Sequence, residues 1–144
     1  MIIERYSDKY RKDIAWLVEC FQDEALKEYG LEFNEVVLSN TIDELKGQAF
    51  LLIIDGKCEG LLAGKEVKTP LSNDPIWHEV IWYVSEKYRR YGVFLLKHAR
   101  AILKDEGYVA MVMIALANSK TKKLFNLYNR LGFVPMETHF IQKL

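Results

Sequence analysis

Residues 84–108, VSEKYRRYGVFLLKHARAILKDEGY, decide how this chain is read. They begin as the end of WHEVIWYV (residues 77–84), a run rich in β-branched and aromatic side chains that reads as a strand. They finish as an amphipathic helix. Arg89, Arg90, Tyr91 and Gly92 lie between the two. A further apolar strand, YVAMVMIAL (residues 108–116), follows. Strand, helix and strand make a βαβ unit, which pairs its strands in parallel through a right-handed crossover.

The rest of the chain extends this frame. Met1–Arg5 reads as a short strand. Ser7 or Asp8 is placed to cap the helix that follows, in which Ile14, Leu17, Val18 and Phe21 recur at helical spacing. A weaker helix runs from about Glu35 to Leu45 and ends at Gly47. AFLLII and CEGLLAGKEV are two strands joined at Asp55-Gly56, a hairpin signal, with Gly60 and Gly64 marking bulges or close approaches in the second strand. KTPLSNDP is a loop. Thr121–Leu131 has helical periodicity stopped by Gly132, and Phe133–Leu144 reads as a final extended segment. The order is β-α-α-β-β-β-α-β-α-β. The expected fold class is α/β (α+β): one domain over residues 1–144, with a mixed, mostly antiparallel sheet and helices on both faces.

The 144 residues suffice for one core that buries roughly two thirds of the unfolded surface. Lys plus Arg equals Asp plus Glu at 20 each, so the overall charge implies no nucleic-acid or membrane partner. Cys20 and Cys58 stand apart in no ligand-like spacing and read as reduced thiols, small buried hydrophobes in a cytoplasmic protein. The N-terminus lacks the apolar core of a signal peptide, and no apolar run is long enough for a bilayer. Three scattered histidines without clustered thiols imply no metal site.

The turn at residues 89–92 has the parts of a diphosphate cradle. A helix start presents backbone N–H groups without internal partners, and the macrodipole adds positive charge there. An anion gains both. Gly92 lets the backbone approach closely, and Arg89 and Arg90 can add charge-assisted bonds. The competing reading makes Lys87, Arg89 and Arg90 a solvated loop and Gly92 only a turn. Neither a P-loop nor a dinucleotide-binding glycine fingerprint is present.

YRRYGVFLL resembles motif A, [QR]-x-x-G-x-[GA], of the GNAT superfamily of acyl-CoA-dependent N-acyltransferases, with Arg89, Gly92 and Phe94 at the defined positions. LFNLYNRLGF resembles the family's second signature through Tyr128, Gly132 and Phe133. The element order is similar to the GNAT order over nearly the whole chain. The last residues, LGFVPMETHFIQKL, resemble small GNAT-like proteins of phages and prophages. The chain departs from the pattern at Phe94, where the family usually has Gly or Ala.

The resemblance implies transfer of an acetyl group from acetyl-CoA, as acyl donor, directly to a primary amine, without a metal. Backbone amides from Arg90 through Tyr91, Gly92, Val93 and Phe94 to Leu95 would hold the CoA diphosphate. The backbone near Tyr83, Val84 and Ser85 would receive the acyl carbonyl and the pantetheine arm. Tyr128 is the implied acid and Glu79 the implied base, with His78 its rival. On a regular strand Glu79, Ile81 and Tyr83 share one face, and His78, Val80, Trp82 and Val84 the other. Asn118 bonds the CoA arm or caps the next helix, and Thr121 holds the position from which the family often contacts that arm. The acceptor is a small-molecule or protein amine, met by residues around Cys20–Asn40 and the loop Lys68–Pro75. Trp77 is either core or pocket lining. The oligomeric expectation is monomer or homodimer. A catalytically inactive CoA-binding or protein-interaction module on the same fold is the alternative, and Phe94 favours it.

Overall fold

Strand order in the sheet follows chain order. The computed structural model describes residues 1–69, 72–117 and 120–144. The strands are β1 (Ile2–Arg5), β2 (Ala49–Ile54), β3 (Lys57–Val67), β4 (Ile76–Val84) and β5 (Ala110–Val112). The helices are α1 (Arg11–Phe21), α2 (Glu35–Leu45), α3 (Gly92–Asp105) and α4 (Thr121–Arg130). Neighbouring strands run antiparallel except β4 and β5, which are parallel, as a βαβ unit requires.

The sheet buries both faces. On one, Ile14 and Leu17 of α1 and Ile42 and Leu45 of α2 pack on Leu51, Leu61, Ala63 and Ile81. On the other, Leu95, Leu96, Ala99 and Leu103 of α3 and Tyr128 of α4 pack on Phe50, Leu52, Leu62 and Trp77. Each fully buried leucine stabilises the fold by about 2 kcal/mol relative to an exposed one. The mixed sheet with helices on both faces is the architecture that the hydrophobic patterning predicts.

The helix ends differ in detail from expectation. Neither Ser7 nor Asp8 caps α1; residues Asp8–Tyr10 form a 3-10 turn that feeds into it, with Tyr10 N–H donating to Ser7 O. In α2, Asn34 is the cap, its Oδ1 accepting from Val36 N at 3.0 Å and Val37 N at 3.1 Å. Beyond α1 the chain continues as a π-turn, Gln22–Leu26, a local insertion of the kind that often accompanies function. The end of α4 is a Schellman motif. Gly132 has φ +87°, Phe133 N–H donates to Tyr128 O at 2.9 Å, and the Tyr128 and Phe133 rings lie 5.5 Å apart. The Tyr…Gly-Phe spacing therefore has a local structural cause.

The hairpin turns at Asp55 and Gly56, both with positive φ, as the two-residue type I′ turn demands. Two bulges bend the central strands. The first sets Glu59 out of register on β3, between Leu52↔Gly60 and Ile53↔Cys58. The second sets Val80 out of register on β4, between Ala63↔Ile81 and Gly64↔Glu79. A Cβ on Gly64 would overlap the His78 carbonyl oxygen and lie 2.5 Å from the Trp77 ring, so the second bulge is possible only with glycine there.

Two expected strands are shortened or unformed. Only Ala110–Val112 of residues 108–116 pairs with β4. Phe133–Leu144 forms no strand and has no ladder partner among the described residues, and Val134, Met136 and Phe140 are exposed. A strand needs a neighbour's N–H and C=O groups, and apolar patterning alone does not supply one. No helix among the described residues is long and apolar enough to cross a membrane.

Candidate functional site

A gap between two parallel strands organises the site. β4 and β5 pair at Ile76↔Ala110, Trp77↔Met111 and His78↔Val112, and there the pairing stops. The bulge at Val80 lies just beyond. A bulge bends its strand and increases local twist, so β4 leaves β5 at this point.

The bulge also reverses the expected facing of the strand. Trp77 packs with α3 and α4, whereas Val80 packs with Ile81 on the α1 side and Trp82 again faces α3. Glu79 accordingly shares the Trp77 face, opposite Ile81 and Tyr83. This corrects the regular alternation, which grouped Glu79 with Ile81 and Tyr83. One inserted residue shifts the phase by one, and side chains change face.

Glu79 reaches across the gap: its Oε2 accepts the Ile114 N–H at 2.8 Å. Burial pushes its carboxyl from 4.5 up to about 8, and the Ile114 N–H offsets only part of that. Tyr128 is buried, and its hydroxyl donates to Ile114 O at 2.9 Å. Burial first, and then the nearby Glu79 charge, raise its pKa above the ordinary phenol range. Tyr128 thus keeps its proton at any neutral pH. The two candidate acid–base groups meet at one residue of the strand extension, a relation that sequence cannot express.

The start of α3 adjoins this gap. A 3-10 turn, Glu86–Tyr91, leads into the helix, and Gly92 N–H donates to Arg89 O. Of the first-turn amides, Gly92's is therefore engaged, and Val93 and Phe94 follow it. Gly92 has ordinary helical dihedrals. A Cβ there would sit 3.5 Å from Trp82 and 3.6 Å from Val84, ordinary contact distances. Neither backbone nor packing requires glycine at this position. The Phe94 ring does not turn into the core: it is 55% exposed, with its centroid 6.2 Å from that of Tyr91. Arg90 donates to the Tyr91 hydroxyl at 2.8 Å.

Arg89 is turned the other way. Its Nη2 pairs with Glu24 Oε2 at 2.6 Å, and the Tyr83 hydroxyl donates to Glu24 Oε1 at 2.7 Å. Burial and then Glu24 push the Tyr83 phenol up to about 12. Glu24 lies on the π-turn, within the stretch expected to meet the acceptor, but no motif singled it out. The Ser85 N–H donates to Glu59 O at 2.9 Å, and its hydroxyl to Glu59 Oε2 at 2.7 Å. Alternation along the strand then turns the Val84 N–H toward the gap.

The remaining candidates are more dispersed. Thr121 donates to Leu116 O at 2.8 Å, a bond at the start of α4. Asn118 lies outside the described residues. His78 Nδ1 lies 2.8 Å from the Glu79 carbonyl oxygen, with the ring half-buried. Trp77 is wholly buried and belongs to the core. The register Val67↔Ile76 puts residues 68–69 and 72–75, the described part of the loop expected to meet the acceptor, at the end of β4 opposite to Val84, which pairs with Gly60. Cys20 and Cys58 are free, and Cys58 is buried, its thiol pushed up to about 12 by burial.

No curated protein matches the chain at a significant level. Among solved structures, an acetyltransferase of Trypanosoma brucei superposes with a TM-score of 0.73 at 15% identity, covering 99% of both chains. A ribosomal-protein-alanine N-acetyltransferase from Brucella melitensis biovar Abortus 2308 gives 0.75 at 13% identity, covering 99% of this chain and 98% of that one. AAC(6')-Iy, in complex with a bisubstrate analog, CoA-S-monomethyl-acetylneamine, gives 0.74 at 12% identity, covering 99% and 97%. At such identities these likenesses establish the fold. Residues 11–133 match the model of the acetyltransferase (GNAT) family, and the chain belongs to that family.

Proposed function

We propose that this protein moves an acetyl group from acetyl-CoA directly to a primary amine. The observation that carries the reading is the gap where β4 parts from β5, with Glu79 and Tyr128 both bonded to Ile114 inside it. The residues present suit the coenzyme: a helix start with a glycine that the fold does not need, packed on β4 beyond the point where its pairing with β5 ends.

Val93 and Phe94 N–H groups would hold the diphosphate, helped by the dipole of α3. The coenzyme, when bound, supplies the activated thioester. Val84 N–H faces the gap and would donate to the acyl oxygen; such a donor contributes roughly 3 kcal/mol to an acyl-transfer transition state. Glu79, with its raised pKa, takes the proton from the incoming ammonium and leaves a neutral amine. Tyr128 holds a proton at its hydroxyl and gives it to the leaving sulfur. Arg89 and Ser85 act as scaffold, since Glu24 and Glu59 engage them.

The acceptor enters beside the π-turn, where Glu24 is half-exposed next to Tyr83. A small-molecule or protein amine fits this setting, and two free cysteines fit a reducing, cytoplasmic compartment. The exposed Phe94, beside Tyr91 at the helix start, favours a second reading in which the fold binds coenzyme without turnover.

Calorimetry with acetyl-CoA, combined with a thiol-release assay on an amine panel, tests both. Binding with thiol release supports the enzyme. Binding without release on any amine supports the module. Equal affinity for ATP and CoA would mark a general phosphate binder and end both.

A further inference from the structure

Trp82 carries a buried hydrogen-bond donor that the described residues leave unused. Its Nε1 has no partner among the described residues. The edge of the indole that bears Nε1 faces the start of α3: Cζ2 and Cε2 lie 3.5 and 3.8 Å from a Cβ built on Gly92. Its ring centroid is 6.3 Å from that of Tyr128. The indole is therefore close both to the helix start and to the acid proposed above.

An unpaired buried donor costs about 1–3 kcal/mol, and a buried tryptophan usually finds an acceptor. Trp77, on the same strand, also has an unpartnered Nε1. Its setting differs. Trp77 is wholly enclosed, packed against Gly64 and Phe50, on the part of β4 where β5 closes the sheet. Trp82 lies past the end of that pairing.

We propose that Trp82 is a further coenzyme-binding residue, its Nε1–H donating to an amide carbonyl oxygen of the pantetheine arm. The inference rests on the acyl-CoA reading. An arm running from Val93 and Phe94 toward Tyr128 passes the indole edge, and its amide carbonyls are the neutral acceptors between diphosphate and thioester. Indole is a donor only, so it selects a carbonyl and not an N–H. The ring face gives the methylene groups of the arm an apolar wall.

The chain has three tryptophans, so ¹⁵N-labelled protein gives three indole cross-peaks, assignable by single Trp→Phe changes. On titration with CoA and with acetyl-CoA, the Trp82 indole peak moves downfield alike, while those of Trp16 and Trp77 stay. Trp82→Phe weakens CoA binding about five- to tenfold, and the Gly92 and Val93 amides still shift at saturation. Shifts at Gly92 and Val93 with the Trp82 peak unmoved overturn this inference and leave the coenzyme site standing. A Trp82 shift with acetyl-CoA alone, or with inorganic pyrophosphate alone, assigns the donor to another oxygen and overturns it as well. If no peak moves in wild-type protein, the coenzyme reading itself is at fault.

Discussion

Glu79 and Tyr128 hold the two backbone polar groups of a single residue: Ile114 N–H donates to Glu79 Oε2 at 2.8 Å, and the Tyr128 hydroxyl donates to Ile114 O at 2.9 Å. The base and acid proposed for one reaction are thereby fixed to the same point of the strand extension. Moving either one disturbs a hydrogen bond as well as a proton path.

Tyr128→Phe separates these two roles. It leaves Ile114 O without its donor, which costs about 1–2 kcal/mol of stability. Turnover falls roughly 10- to 100-fold, at or below the low end of general-acid catalysis, because a thiolate already leaves well. CoA affinity is unchanged. Steady-state kinetics with a parallel calorimetric titration check this, and wild-type turnover would remove Tyr128 from the mechanism.

Glu79 makes both stability and rate depend on pH. Its carboxyl is raised from 4.5 to about 8 on folding, so the folded state binds the extra proton between those values. The stability it contributes is complete below pH 4.5 and is lost as pH rises through about 8, by up to about 1.4 kcal/mol per pH unit. Catalysis runs the opposite way, since the base must be ionised, and the rate climbs toward pH 8. Glu79→Gln abolishes both slopes and lowers turnover about 100-fold. Denaturant titrations and rate profiles between pH 5 and 9 (roughly the window of this titration) measure them; a variant that retains wild-type slopes assigns them to another group.

Gly92→Ala should leave the fold intact and damage the site. A Cβ there meets Trp82 and Val84 at ordinary contact distance, and alanine is the better helix former by about 0.5–1 kcal/mol. Thermal denaturation should show equal or greater stability, and calorimetry more than about tenfold weaker CoA binding. Unchanged affinity in a stable variant would mean that no ligand approaches this helix start.

Gly64→Ala tests whether the bulge makes the gap. The new methyl overlaps the His78 carbonyl and presses on Trp77, so the strand must shift, at roughly 2–3 kcal/mol. Loss of both stability and coenzyme binding is the expected result. A stable variant with normal binding would break the link between Gly64 and the site.

The order of elements was legible because hydrophobic period and turn chemistry are local. Asp55-Gly56 marks its hairpin, Gly132 ends α4, and the run through residues 84–108 announces strand, turn and helix. The facing of Glu79 was not legible. It depends on the bulge at Val80, which in turn depends on Gly64 one strand away. Residues 108–116 read as a full strand because apolar patterning does not reveal that β4 departs after His78. Trp82 and Glu24 went unmarked for a similar reason. The donor of one and the bonds of the other to Arg89 and Tyr83 arise only from tertiary contacts.

The most direct measurement is a crystal structure of the protein with acetyl-CoA. The diphosphate should lie against the Val93 and Phe94 amides, with the arm between β4 and the extension of β5 and the thioester near Val84, Glu79 and Tyr128. A complex with the helix start covered by the Phe94 ring and the coenzyme elsewhere, or absent at saturating concentration, would contradict the account.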